Sequence, residues 1–531
     1  MRYFLPLLLI AGAAYGQSHC SVPPGPDAPK LPAKLLDGMG TEHISFPITT
    51  SNPEAQKFFN QGVAQMHSFW GREAERSFLQ AAALDPEAPM PRWGVAMVAG
   101  GQYQPYFQIA SWDEISGKQA RTNRRAIDAA QKALDLSGKP GKATELEKLY
   151  IAAVAARRIP GKEDPDEAYI AAWRALLEKY PQEIEARTYL SLHLMRGFEL
   201  PSHTPRKYSM EAVAILKQLL TEAPDHPGVN HYVIHAWEGS SFAKDAWPSS
   251  EKYFSEAVNI PHALHMPGHI YSQTGRWKDA ITAFAAAKQK ELAYMKADSA
   301  YGNGHHGHNV NYLATAYSFT GDYDSAIREA KHLLGIQETD AQKKSNDLFT
   351  TAFAQGFIAM LRALTQHEKW DEILAGNMLP QIARPRQEAW YAWARGLAFA
   401  QKGEIAKART EGRKLDAALA NYASKTKRPI PAELKVAEEE LTAQIVLASG
   451  KTDAGLRMLE NAAKADRALR YTEPPYYARP VYESLGKAAA KAGRTSLARK
   501  AFQQALEQFP ADAIAEAGLH ELEQRTSAGG Q

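Results

Sequence analysis

The chain has 531 residues, of which 45% are hydrophobic and 23% are charged, so it can build a folded core and does not have the composition of a disordered protein. Lysine and arginine outnumber aspartate and glutamate by only 62 to 59, and no long basic run occurs. This balance gives no support for nucleic acid or an acidic membrane surface as the main partner.

The N-terminus has the layout of a secretory signal peptide. Arg2 precedes a mainly apolar run from Tyr3 to Ala14, and small residues up to Gly16 mark a cleavage site. The run is too short to form a stable membrane span. Cys20 is the only cysteine, which rules out an intramolecular disulfide. We expect residues 1–16 to be removed and the protein to be exported to a periplasmic or extracellular location.

The remaining chain is divided by composition into three parts. Residues 17–42 are rich in proline and glycine and are expected to form a mobile leader. Residues 524–531 are expected to be a flexible tail. Between them, residues 43–523 carry apolar side chains at spacings of three and four, many alanines and almost no alternating runs. The pattern predicts an all-α protein.

A packing pattern recurs along this central region. Near its end, Gly486, Gly493, Ala498 and Phe502 occupy positions 8, 15, 20 and 24 of a unit that ends at Pro510. Small residues at positions 8 and 20 let paired helices approach closely, and the aromatic residue fills the space between them. The spacing matches the 34-residue tetratricopeptide signature. Equivalent residues recur at Gly62/Ala74/Phe78, Gly268/Gly275/Ala280/Phe284, Tyr317/Gly321/Ala326 and Gly396/Gly403/Ala408.

Three segments indicate a particular family of tetratricopeptide proteins. They contain the stretches "SNPEAQKFFNQGVAQMHSFWGREAERSF", "HMPGHIYSQTGRW" and "YTEPPYYARPVYESLG". Together they resemble a family of large, mostly bacterial, often exported tetratricopeptide proteins with eukaryotic relatives, over about residues 43–520. The resemblance implies an α-solenoid of helix pairs that forms a right-handed superhelix, but it implies no particular activity.

Three neighbouring repeats carry histidines outside the packing positions. In such a repeat the first helix lines the concave face, and its positions 2, 5, 9 and 12 form a stripe apart from the inward-packing positions. We therefore expect nine side chains to converge on one wall of the groove. They are His231, His235 and Glu238 in one repeat, His262, His265 and His269 in the next, His308 in the third, and His305 and His306 just before that third helix.

Imidazoles at helical spacing of three or four can hold a metal ion. The pairs His231/His235 and His265/His269 would close a four-ligand site or an open three-ligand site. Glu238 is a candidate ligand, orienting residue or general base. Nitrogen-rich ligation favours zinc or copper, with iron or nickel possible and magnesium or calcium disfavoured. We expect His262, His305, His306 and His308 to surround these ligands or to bind a second ion.

A groove without metal is the main alternative to this interpretation, because histidine also recognises carboxylates and aromatic rings by hydrogen bonding. His67 is only a weak candidate ligand. The segment "HYVIH" has Tyr232 where a zinc protease needs glutamate, and no phosphate-binding loop occurs. We expect a binding or assembly module that receives a peptide or protein in the groove. The alternative is a metal-dependent hydrolase or oxidoreductase in which Glu238 transfers protons.

Overall fold

The computed structural model describes residues 28–99, 123–161, 163–199, 202–298, 304–343, 351–469 and 472–528. Most of these residues lie in helices. Their caps follow from the sequence. Thr144 and Glu147, for example, form a capping box at the start of one helix. The first helices are α1 (Pro53–His67), α2 (Gly71–Leu84), α3 (Pro89–Val98), α4 (Arg124–Ser137), α5 (Glu145–Arg158), α6 (Pro165–Lys179), α7 (Ile184–Leu194), α8 (Ser209–Glu222) and α9 (Pro227–Trp237).

Helix pairs continue through the second half of the chain. In the described ranges the one sheet is a two-residue antiparallel pair, β1 (Phe198–Glu199) with β2 (Thr204–Pro205). The later helices are α10 (Trp247–Glu256), α11 (Pro261–Gln273), α12 (Trp277–Ala297), α13 (Gly304–Phe319), α14 (Tyr323–Leu334), α15 (Asp340–Lys343), α16 (Ala352–Gln366), α17 (Trp370–Ala375), α18 (Pro385–Gln401), α19 (Ile405–Thr426), α20 (Ala432–Ala448), α21 (Thr452–Arg467), α22 (Val481–Lys491), α23 (Thr495–Gln508) and α24 (Ala513–Ala528).

Glycine and phenylalanine meet within the helix pairs as the repeat frame predicts. A Cβ atom added to Gly268 would lie 2.4 Å from the ring of Phe284, and one added to Gly486 would lie 2.6 Å from Phe502. Such distances leave no room for a side chain, so glycine is required for the close approach of the two helices. The predicted fold class is confirmed: the chain is an all-α solenoid of tetratricopeptide-type helix pairs.

Both ends of the solenoid contact its middle. Trp277 at the start of α12 donates a hydrogen bond to the carbonyl of Pro510, at 2.8 Å, and Phe319 packs between the rings of Trp277 and Phe509. At the other end, the carbonyl of His67 accepts a hydrogen bond from the ring of His231. Elements far apart in sequence therefore enclose helices α9, α11 and α13.

Two expectations about the ends of the chain need correction. Residues 28–42 do not extend freely from the solenoid, since the backbone N–H groups of Ala33 and Leu36 donate to Gln80 and Gln61. Helix α24 continues to Ala528, past the start expected for the flexible tail. The predicted signal peptide lies outside the described residues. Among the helices that are described, none combines the length and the apolar character needed to cross a bilayer.

Candidate metal centre

All nine predicted side chains lie together in the interior, on or beside α9, α11 and α13. Their exposed fractions range from 0% to 6%. The sequence predicted an inner wall open to a groove, and this part of the expectation is wrong because the two ends of the solenoid cover the wall. His305 and His306 were expected before the third helix but lie in its first turn, because α13 begins at Gly304.

Three imidazoles meet at one point between α11 and α13. The Nε2 atom of His265 lies 2.6 Å from Nε2 of His269 and 3.0 Å from Nε2 of His308. The three rings are buried and can each offer one ligand atom within 4.8 Å of the others. We call these three residues the first triad.

The opposite ring nitrogens fix the tautomers of the first triad. His265 donates from Nδ1 to the amide oxygen of Asn309, whose own NH₂ group donates to the carbonyl of Phe284 at 3.0 Å. His269 donates from Nδ1 to Glu238 and to Glu473, at 2.7 Å and 2.6 Å. In their neutral forms both rings therefore direct Nε2 lone pairs at each other across 2.6 Å. That contact is repulsive unless a proton or a metal ion lies between the two nitrogens.

Burial and charge act differently on the two rings. Burial, together with the neighbouring imidazoles, lowers the pKa of His265 well below its ordinary value. Burial alone would also lower the pKa of His269, but the carboxylates of Glu473 and Glu238 raise it to about 10. The two carboxylates therefore favour a positive charge, carried by a proton or a metal ion, between the rings of His269 and His265.

A second triad consists of His231, His235 and His262. Each residue offers a ligand atom within 4.8 Å of the other two. His231 donates from Nδ1 to the carbonyl of His67, which leaves a lone pair on Nε2, and this atom lies 3.2 Å from Nε2 of His262. The predicted four-ligand site from the pairs on α9 and α11 is not formed, because the pairs separate into these two triads.

His262 lies between Nε2 of His231 and Nε2 of His305, which both lack a proton when those two rings are neutral. Its Nδ1 atom lies 3.1 Å from Nε2 of His305, whose own Nδ1 donates to the buried carboxylate of Glu291. A neutral imidazole has one N–H group, so His262 can donate to either His231 or His305 but not to both. Burial and the adjacent histidines lower the pKa of His262 well below its ordinary value, which disfavours a doubly protonated ring.

Glu238 and Glu291 orient the imidazoles. The two carboxylate oxygens of Glu238 accept hydrogen bonds from Nδ1 of His235, at 2.8 Å, and from Nδ1 of His269. This position suits an orienting residue better than the general base considered from the sequence. Glu291 accepts from His305 and from Nδ1 of His306, at 2.9 Å, so His306 takes part in the carboxylate network rather than in a triad.

The cluster of His67, Glu185 and His226 is of a different kind. Nε2 of each histidine donates to Glu185, at 2.8 Å and 2.9 Å. The second nitrogen of His67 accepts from the hydroxyl of Tyr232, and that of His226 accepts from the backbone N–H of Val229. Every ring nitrogen has a compatible partner, so this cluster needs no cation and is a structural hydrogen-bond network.

Phe69 covers the second triad. Its ring centre lies 4.4 Å from that of His231 and 5.2 Å from that of His235. Phe69 occupies position 15 of the first repeat, where Gly275 and Gly493 stand in their repeats with φ of 80° and 69°. Phe69 has φ of 52°, a left-handed conformation that is costly for a bulky residue. The side chain that seals the triad is thus held at a strained turn.

Sequence reasoning missed three contributors to the site, Glu473, Glu291 and Asn309. Asn309 and Glu291 lie in the stretches between the framed repeats or next to the predicted histidines, without a spacing that indicates their partners. Glu473 lies within the segment "YTEPPYYARP", which carried the family resemblance but no assignable chemistry. That resemblance was the one signal that singled the segment out.

Comparisons with known proteins find only distant likenesses to solved structures. No protein-family model and no curated protein sequence matches the chain. The human IFIT1 dimer with m7Gppp-AAAA is 12% identical over 93% of this chain and 95% of that one, with a TM-score of 0.32. The P58(IPK) TPR domain is 12% identical over 90% and 99%, with a TM-score of 0.23. The APC/C hetero-tetramer Cut9-Hcn1 is 11% identical over 89% and 90%, with a TM-score of 0.29. Likenesses of this degree carry no information about function.

Proposed function

We propose that this protein is an exported, metal-binding tetratricopeptide-type protein whose two histidine triads each hold one transition-metal ion. The observation that carries the proposal is the convergence of three buried imidazoles in the first triad, where Nε2 of His265 lies 2.6 Å from Nε2 of His269 and 3.0 Å from Nε2 of His308, and the Nδ1 atoms of His265 and His269 are committed to oxygen acceptors. The sequence of residues 1–16 supports export.

The donor set fits a metal ion in both triads. An ion on the three Nε2 atoms of the first triad would leave Nδ1 protons on His265 and His269, and each of those protons already has an oxygen acceptor. An ion on Nε2 of His231 and His262 would place the single proton of His262 on Nδ1, where His305 accepts it. Hydrogen bonds to oxygen from the far side of ligating imidazoles are usual at metal sites.

The chemical identity of the donor atoms limits which metal ions the triads would bind. Neutral imidazoles without sulfur favour zinc or copper over magnesium or calcium. Two nitrogens bound to one tetrahedral zinc ion stand about 3.3 Å apart. On binding, Nε2 of His265 would therefore move about 0.7 Å away from Nε2 of His269 and about 0.3 Å away from Nε2 of His308. Three protein ligands leave a coordination position free for a water molecule or substrate.

Burial of the histidines bears on the two functions that the sequence left open. A peptide in the groove cannot reach imidazoles that are at most 6% exposed, so direct recognition by these side chains is disfavoured. The solenoid remains a suitable scaffold for a protein partner on its outer repeats. A metal-dependent enzyme is the second candidate function, because a cavity of about 480 Å³ adjoins the first triad. A bound metal would supply Lewis-acid or redox chemistry to that cavity.

Metal analysis of untagged protein purified without added metal tests the proposal. We expect up to two ions of zinc or copper per chain, completed by titration with Zn²⁺ or Cu²⁺. The variant His265→Ala should lose one ion and His231→Ala the other, whereas His367→Ala, which alters a histidine outside both triads, should retain two. Protein that is folded but takes up neither metal would refute the proposal.

A further inference from the structure

A cavity of about 480 Å³ lies between α11, α13 and α16 and the C-terminal segment that carries Glu473. Its walls combine aromatic rings with a few polar groups. The residues that matter for its chemistry are Trp277, Tyr312, Arg362, Asp466, Tyr476 and Phe509. A volume of this size accommodates a small organic molecule rather than a folded partner.

The cavity adjoins the first triad. Ser272 and Gln273 line it from α11, one helical turn beyond His269 on the same side of the helix. Tyr312 lines it as well, and its ring centre lies 5.4 Å from that of His269. The segment after Glu473 forms the opposite wall. A molecule in the cavity is therefore separated from the first triad by little more than the ring of Tyr312.

Arg362 is a buried charge without a counter-ion. The residue is 1% exposed and lines the cavity, yet its single hydrogen bond runs from Nη2 to the carbonyl of Pro475, at 2.6 Å. Its Nε atom has no partner, and the carboxyls of Asp466 and Glu483 act on its charge without a hydrogen bond to it. A guanidinium has five N–H donors, and leaving a buried charge uncompensated is costly.

The other buried charged groups of the cavity form no ion pair with Arg362. Arg479, the second buried arginine of the wall, is fully engaged with Glu440, at 2.8 Å and 3.2 Å. Burial raises the pKa of Asp466 to about 7, so that carboxyl is partly neutral at physiological pH. Asp466 accepts from the backbone N–H of Val481 rather than from Arg362. The guanidinium of Arg362 is therefore available to an anion that enters from the cavity.

We propose that this cavity binds an aromatic carboxylate, with its carboxylate on Arg362 and its ring among the aromatic side chains beside the first triad. Only the placement beside a metal ion rests on the proposed function. A planar carboxylate matches the two-donor geometry of a guanidinium. The walls formed by Trp277, Tyr312, Tyr476 and Phe509 suit a flat apolar group, because aromatic rings pack well on one another.

Calorimetric titration of the full-length, zinc-reconstituted protein with 2-naphthoate tests this inference. We expect saturable binding that weakens at least tenfold in Arg362→Met and for the uncharged analogue 2-naphthamide. The control Arg494→Gln alters an exposed arginine outside the cavity, one that is paired with Asp453, and should change affinity less than twofold. Arg362→Met removes an uncompensated charge, so its melting temperature should be unchanged or higher, which excludes unfolding as the cause of weaker binding.

Two outcomes would overturn the inference: equal affinity of wild type and Arg362→Met for 2-naphthoate, or equal affinity for 2-naphthoate and 2-naphthamide. Repeating the titration after removal of metal with a chelator separates this inference from the proposed function. Arg362-dependent binding by protein that takes up no metal would sustain the anion site and refute the metal proposal. Stoichiometric metal without Arg362-dependent binding would do the reverse. With both present, addition of 2-naphthoate should shift the visible spectrum of cobalt-substituted protein.

Discussion

The carboxylate of Glu473 lies 2.6 Å from Nδ1 of His269, although the two residues belong to distant parts of the solenoid. The contact joins the C-terminal segment to the first triad and holds the imidazole with its Nε2 atom towards His265. We expect Glu473→Gln to lower metal affinity about 10- to 100-fold, the range found when a hydrogen-bond partner of a ligating histidine is removed. Competition with a chromophoric chelator measures this change.

The matched control for that experiment is Glu523→Gln, which neutralises an exposed glutamate elsewhere in the C-terminal region. Its metal affinity should equal that of the wild type. If Glu473→Gln also binds metal as the wild type does, the carboxylate has no part in holding His269.

The stability of the metal-free protein should fall as the pH is lowered through the range in which histidine titrates. Burial lowers the pKa of His193 to about 4, whereas in the unfolded chain it stays near 6.5. Below pH 6.5 the unfolded state binds a proton that the folded state does not, so stability present above pH 6.5 is lost progressively down to pH 4. The shift corresponds to about 3 kcal/mol for this residue.

Urea unfolding at pH 7.5, 6, 5 and 4.5 measures this dependence. Asp166, which accepts a hydrogen bond from His193, has a lowered pKa and contributes only in a separate window below its unfolded value of 3.8. The variant His193→Gln should show a shallower loss of stability between pH 6.5 and 4.5. An identical slope in the two proteins would contradict the assignment.

Substitutions of Phe69 should separate two effects on stability, the loss of the buried ring and the relief of the left-handed backbone conformation. Both Phe69→Ala and Phe69→Gly remove the buried ring and are expected to destabilise the fold by about 3 kcal/mol. Glycine adopts the φ of 52° at this turn without strain, whereas the Cβ atom of alanine makes this conformation costly. Phe69→Gly should therefore be more stable than Phe69→Ala by about 1 kcal/mol, measured by urea unfolding. The reverse order would show that the left-handed conformation is not retained.

Two glycines in helices should respond to alanine in opposite directions. A Cβ at position 486 would lie 2.6 Å from the ring of Phe502, so we expect Gly486→Ala to destabilise the protein by about 1–3 kcal/mol. At Gly412 the nearest atom, on Ile445, is 3.7 Å away. Gly412→Ala should stabilise α19 by about 0.5–1 kcal/mol through helix propensity. Thermal unfolding of both variants decides the matter, and a loss of stability at position 412 would contradict the packing argument.

The proposed export implies a defined mature N-terminus. Mass spectrometry of protein secreted by a bacterial host should give a chain that begins at Gln17. Replacement of Leu8 by arginine interrupts the apolar run and should leave the full-length precursor in the cytoplasm. Recovery of an intact Met1 terminus on secreted wild-type protein would refute the predicted cleavage.

The sequence predicted the helix pairs because their packing depends on local, recurring residues. Gly268 and Phe284 are separated by a fixed spacing, and so are Gly486 and Phe502. The histidines on α9 and α11 could be located in the same way, since a helix places its side chains by rotation alone. Contacts between repeats that are not neighbours in the chain have no fixed spacing in the sequence. The position of Glu473 beside His269 was therefore not predictable.

Burial of the histidines was missed for the same reason. A repeat frame describes how each unit contacts the next, and it indicates an open concave face. The closure here depends on particular side chains, such as Phe69 at a position that other repeats give to glycine. No spacing in the sequence indicates that its ring lies on His231. The separation into two triads follows from that same three-dimensional arrangement.

Contacts of both chain ends with the centre have a consequence for how the molecule loses its structure. An open array of repeats unravels from its termini, and shortened versions often remain folded. Here the hydrogen bond from Trp277 to Pro510 and the contact of Glu473 with His269 tie the final hairpins to the middle of the chain. Denaturation should therefore be a single cooperative event, and deletion of the last helices should disable the distant histidines as well.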